Sequence, residues 1–167
     1  MYKYGIRITG IKDGNYNYSF KICDKFFESY VNSDIHHSSI ESNVTLNKDQ
    51  EKLKLKIEIS GHVNLLCDLC AEIIKIKVIN EINLIIEIRN ELMENGDDII
   101  YVQNNQHEID IKQLIYETVV LSIPNQRKHS GKIGDKCNPD MIDLTNKYSF
   151  QREDKTDPRW EKLKDLK

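Results

Sequence analysis

The 167-residue sequence predicts an α+β protein: a strongly twisted antiparallel β-sheet, open or barrel-like, with one main packed helix and a short C-terminal helix. Three observations predict it. Over residues 52–59 every odd position is apolar and every even one charged. Ile74, Ile76, Val78, Ile82, Leu84, Ile86 and Ile88 continue a two-residue period on the even positions, broken only by Asn80. Strict alternation is the pattern of a strand with one face on a core and the other in water. The period then becomes helical, with Ile111, Leu114, Ile115, Thr118 and Val119 in one stripe that Pro124 ends.

Residues 4–11 and 16–22 read as strands around the turn signal Asp13-Gly14-Asn15. Phe26, Phe27 and Tyr30 fall at the spacing of a short helix, residues 32–39 read as loop, and 40–46 is a strand ended by the Asn47-Lys48-Asp49-Gln50 turn. The two long alternating segments form an antiparallel hairpin with Cys67-Asp68-Leu69-Cys70 at its tip, and Asn80 predicts a bend or bulge. Residues 94–98 are a turn, 99–102 a short strand and 103–107 another turn. Asp110 caps the helix over 110–122, with Gln113 at its third position and Ile109 and Leu114 placed as a hydrophobic staple. A strand over 119–123 is the competing reading, because β-branched runs suit either state. No regular period runs from 125 to 156, and Asp157-Pro158 opens a short helix carrying Trp160, Leu163 and Leu166. The length fits a single domain over 1–142 and a flexible segment, 143–167, that ends in this helix.

Composition narrows the function. A net charge of −3 gives no global basic field for nucleic acid, so any RNA contact needs a local patch. No stretch approaches the ~18 apolar residues of a membrane-spanning helix, and the first residues lack an apolar signal region, which predicts a soluble cytosolic protein. In that compartment four cysteines point to thiols or metal ligands rather than disulfides.

Cys67 and Cys70 place two sulfurs on one side of a tight turn, and His129 and Cys137 follow in a turn-rich loop about 60 residues later. Four such ligands suit one tetrahedral zinc with no position left open for a substrate, hence a structural site. The plain alternative is that both cysteines are small apolar turn residues and His129 is solvated. Cys23, in a strand far from the others, reads as a buried bystander. A thioredoxin-type motif is excluded because a strand, not a helix, follows Cys70.

Arg127, Lys128, Lys132 and Lys136 against Asp135 leave the 124–137 loop at +3. Phosphate backbones attract such clusters. Lys52, Lys54, Lys56, Lys75 and Lys77 form a second basic surface, which is also how sheets keep themselves soluble. His36, His37, His62 and His107 lack metalloprotease spacing, and the chain has no glycine-rich phosphate loop or nucleophile elbow, so no small-molecule substrate is indicated.

The order of motifs is similar to one known family. A strand-rich half leads to Cys67 and Cys70; Glu108-Ile109-Asp110 starts a helix that runs into Ile123-Pro124; His129 and Cys137 follow, and Asp157-Pro158 through Leu166 closes the chain. This resembles the YceD family, the large ribosomal RNA subunit accumulation proteins, over about residues 55–167. The resemblance implies a non-enzymatic, bacterial, cytoplasmic factor for 23S rRNA accumulation. Its partner would be rRNA or a large-subunit ribosomal protein, met through Arg127, Lys128, Lys132, Lys136 and Trp160. Two rivals remain: a thiol- or zinc-dependent enzyme, and a protein-only adaptor that binds through its C-terminal helix.

Overall fold

The computed structural model describes residues 3–149 apart from 32, 51, 91–93, 95, 97 and 132–134. In chain order the elements are β1 (Gly5–Arg7), β2 (Gly14–Cys23), α1 (Asp24–Phe27), β3 (His36–Asp49), β4 (Lys52–Leu66) and β5 (Ile73–Arg89). Then follow β6 (Ile99–Gln103), β7 (Glu108–Asp110), α2 (Lys112–Leu121) and α3 (Pro139–Tyr148). The main sheet has the order β2-β3-β4-β5-β6, and β1 and β7 form a separate antiparallel pair. It is open: β2 and β6 are its two edges, and it does not close into a barrel.

The alternating pattern decides which face is buried. Leu53, Leu55, Ile57, Ile59, Val63 and Leu65 of β4 and Val78 and Ile86 of β5 all lie on the inner face. Helix α2 lays Ile115 and Val119 over them, and Ile111 just before it is buried as well. Each such side chain contributes roughly 1.5–3 kcal/mol of burial. An aromatic cluster closes one side of the core, with Tyr30 stacked on Tyr116 at 3.7 Å and Phe26 edge-on to Tyr4 at 5.2 Å.

Several expectations are corrected. β1 pairs with β7, not with β2, because Tyr4, Ile6 and Ile8 bury into the layer beside α2. β6 runs parallel to β5, from Ile85–Ile99 to Arg89–Gln103, so the sheet is antiparallel over four strands only. The register of β4 on β5 runs unbroken through Ile59–Asn80, so there is no bulge at Asn80. Its Nδ2 instead donates to the Thr118 carbonyl of α2 at 3.2 Å. That carbonyl lies in the last helical turn, where the Ser122 N–H turns to Val119, so Asn80 serves a group the helix leaves open.

The sheet's irregularity lies between His36 and Ser39 on β3. Gly61 of β4 pairs with Ile40 just beyond it, and a Cβ there would stand 2.6 Å from the Ile40 Cα and closer still to the Ser39 carbonyl. Only glycine permits that approach. Cys23 is exposed, not buried, because it falls on the outward-facing side of β2.

The main helix starts at Lys112, whose N–H donates to Asp110 Oδ1 at 3.0 Å. Gln113 bonds Glu117 instead of reaching back to Asp110. The helix continues to Leu121, so 119–123 is not a strand. α3 arises where no period was evident: Asn138 accepts from the Asp140 N–H at 3.0 Å and Pro139 opens the first turn. It spans residue 142. The helix expected over 157–166 lies outside the described residues.

Candidate metal centre

The β4–β5 hairpin ends in a turn that Cys67 and Cys70 begin and close. Cys67 N donates to the Glu72 carbonyl at 2.8 Å, Ala71 N to the Cys67 carbonyl at 2.9 Å, and Leu69 N to Cys67 Sγ at 3.4 Å. Ala71 adopts φ 57°, which turns the chain sharply enough to return into β5. Both thiols are 3% exposed and pack with Ile74, so the turn has a small core of its own.

The loop after α2 brings in the other pair. Cys67, Cys70, His129 and Cys137 place their four ligand atoms within 4.8 Å of one another. Cys67 Sγ stands 3.8 Å from Cys137 Sγ, and His129 Nδ1 lies 3.5 Å from Cys70 Sγ and 3.5 Å from Cys137 Sγ. A tetrahedral zinc bonded at about 2.3 Å to sulfur and about 2.0–2.1 Å to nitrogen sets two sulfurs about 3.8 Å apart and sulfur and nitrogen about 3.6 Å apart. The spacing therefore fits one such ion, and three soft thiolates with an imidazole are the donor set that zinc takes. Bound there, zinc supplies a cross-link rather than chemistry, since all four positions are protein atoms.

Electrostatics of the cluster follow from its contacts. Burial pushes the Cys67 thiol up, but backbone N–H groups of Leu69, Cys70 and His129, joined by the His129 ring, outweigh it and bring the thiol down to about 6. Cys137 is pushed up to about 11 by burial and by the neighbouring Cys67 and Cys70 sulfurs. The contacts therefore favour the thiolate form at Cys67 and the thiol form at Cys137, and a metal bound by both would take both as thiolates. His129 Nε2 lies 4.0 Å from Asp135 Oδ1, and Asp135 also accepts from Ser130 N at 2.7 Å. A carboxylate behind a ligand histidine is the usual way its ring is oriented.

Sequence reasoning passed over the contact that fixes the loop to the tip. Asp68, between the two cysteines, bonds both the backbone and the guanidinium of Arg127. An Asp inside the C-x-x-C turn and an Arg in the basic loop were its only signals. The pairing takes up Arg127, whereas Lys128 and Lys136 are exposed and carry no ion pair with a described residue. Lys132 and Trp160 lie outside the described residues.

Comparison with protein families matches residues 55–167 to the large ribosomal RNA subunit accumulation protein YceD. The chain belongs to the YceD family. The match takes in all four residues of the cluster, both halves of the Asp68–Arg127 contact and the whole of α2. No curated protein and no solved structure matches the chain.

Proposed function

We propose that this protein is a non-enzymatic factor supporting 23S rRNA accumulation and large ribosomal subunit biogenesis, organised by a structural zinc clip. The single observation that carries the reading is the family match, whose printed description concerns accumulation of the large-subunit RNA. Zinc held by Cys67, Cys70, His129 and Cys137 ties the hairpin tip to the loop after α2. The same clip argues against a thiol enzyme: the depressed Cys67 is buried, so a substrate cannot reach it.

The partner is rRNA or a large-subunit ribosomal protein, met in the cytoplasm. Within the loop Lys128 and Lys136 are the described cations left for phosphate contact, because Arg127 is engaged by Asp68. Depletion of the protein tests the reading. It should lower 23S relative to 16S rRNA, and in undepleted cells the tagged protein should co-sediment with large-subunit precursors. Unchanged rRNA ratios and precursor profiles on depletion overturn it.

A further inference from the structure

β6 covers β5 only from Ile85 onward, and the Cys67–Cys70 turn closes its other end. Between these limits, among the described residues, no strand pairs with the outer edge of β5. Two hydrogen bonds show which backbone groups face that edge. Ile85 N donates to the Asp98 carbonyl on the β6 side at 2.8 Å, and Glu81 N donates to its neighbour's Asn80 Oδ1 at 2.9 Å. Peptide groups alternate along an antiparallel strand, so Lys75, Lys77, Ile79 and Asn83 point their N–H and C=O the same way. The open edge is about 27 Å long from Lys75 to Asn83, and long open edges recruit further strands.

The side chains on it are arranged symmetrically about Ile79. We infer that the open edge of β5 pairs antiparallel with the same edge of a second copy, on a twofold axis through Ile79, to give one continuous sheet across the dimer. In that register Ile79 meets its own copy, Lys77 meets Glu81, and Lys75 meets Asn83. On the core side Ile76 meets Ile82. Every odd-numbered pair is of the hydrogen-bonded kind, and the Glu81 N–H exchanges the Asn80 side chain for a carbonyl across the axis. Ile79, 60% exposed in the single chain, gains an apolar partner.

The central apolar pair and the charges together favour this register. An axis through Val78 or Asn80 sets Ile79 opposite Lys77 or Glu81 and forgoes the apolar pair, and an axis through Lys77 or Glu81 sets like charges directly opposite. The open stretch from Ile73 to Leu84 is also centred beside Ile79, so the favoured register uses the free edge fully. The proposal is independent of the rRNA reading.

Sedimentation equilibrium of the wild type, Lys77→Glu, Glu81→Lys and the double variant tests it. The wild type should show a monomer–dimer equilibrium. Each single reversal should weaken it by about tenfold, since like charges then oppose each other twice. The double reversal should restore it. Both positions changed, Lys77 and Glu81, are exposed, Glu81 also lies 3.1 Å from Lys56 Nζ of its own chain, and a thermal melt of each variant checks that the fold is kept. A wild type that stays monomeric at its highest soluble concentration overturns the proposal. So do single reversals without effect, and a double variant that fails to recover.

Discussion

Asp68 and Arg127, 59 positions apart, are joined by four contacts, three hydrogen bonds and an ion pair, that lock the hairpin tip to the loop after α2. Asp68 Oδ2 accepts from Arg127 N at 2.7 Å, Oδ1 accepts from Nε at 3.0 Å and lies 3.0 Å from Nη2, and Asp68 N donates to the Arg127 carbonyl at 2.8 Å. Two of the four belong to side-chain nitrogens of Arg127. Arg127→Ala should therefore keep the fold but loosen the loop that carries His129. Zinc affinity is expected to fall by about tenfold, measured by competition with a colorimetric chelator.

The same contact gives a pH dependence. The backbone N–H of Arg127 holds the Asp68 carboxyl below its ordinary range against the opposing effect of burial, and the guanidinium and Lys128 add to it. The folded chain therefore binds fewer protons at this group than the unfolded one. Its contribution is complete above the unfolded value of about 3.9 and is lost as pH falls toward the depressed folded value. Asp68→Asn should be less stable than wild type at neutral pH, and the difference should shrink as pH falls from about 4 toward the depressed folded value.

Metal analysis of the purified protein should find one zinc per chain. Cys70→Ser or Cys137→Ser should lower that content and the melting temperature together, and a strong chelator should reproduce the fall in the wild type. Full metal content in both variants, with unchanged melting, would dismiss the clip.

Gly61→Ala tests the close approach of β3 to β4. The added methyl meets backbone rather than a movable side chain, so the strands must separate. A loss of about 1–3 kcal/mol is expected in urea unfolding, with zinc binding retained.

Asn80→Ala removes the donor to Thr118 and leaves a part-buried helix carbonyl unserved. Unfolding measurements should show a cost of about 1–2 kcal/mol. A neutral result would mean that water replaces the amide.

The sequence was most legible where one physical rule acted alone. β4 and β5 are long and bury one face, so their period survived translation into structure, and the turn between them was marked by its cysteines. The four candidate ligands were legible as residue types, and the geometry of His129 and Cys137 beside Cys67 and Cys70 needed the folded chain. What was hidden depended on partners distant in sequence. Residues 5–7 carry no signal that they pair with 108–110 rather than with β2, and 99–102 looks the same as a parallel or an antiparallel strand. Asn80 broke the period for a reason that lay in a helix 38 residues away. α3 buries none of its side chains, so it lacks the core-facing stripe by which helices are usually recognised, although Asn138-Pro139 was a readable start.

The spacing of the four ligands sets an order of events during synthesis. Cys67 and Cys70 leave the ribosome 70 and 67 positions ahead of Cys137, a delay of about 3–14 s at ordinary elongation rates. Until then the nascent hairpin offers two thiols and no complete cage. A metal held by all four would thus be captured only after α2 and the loop beyond it, as a late latch on an already assembled sheet.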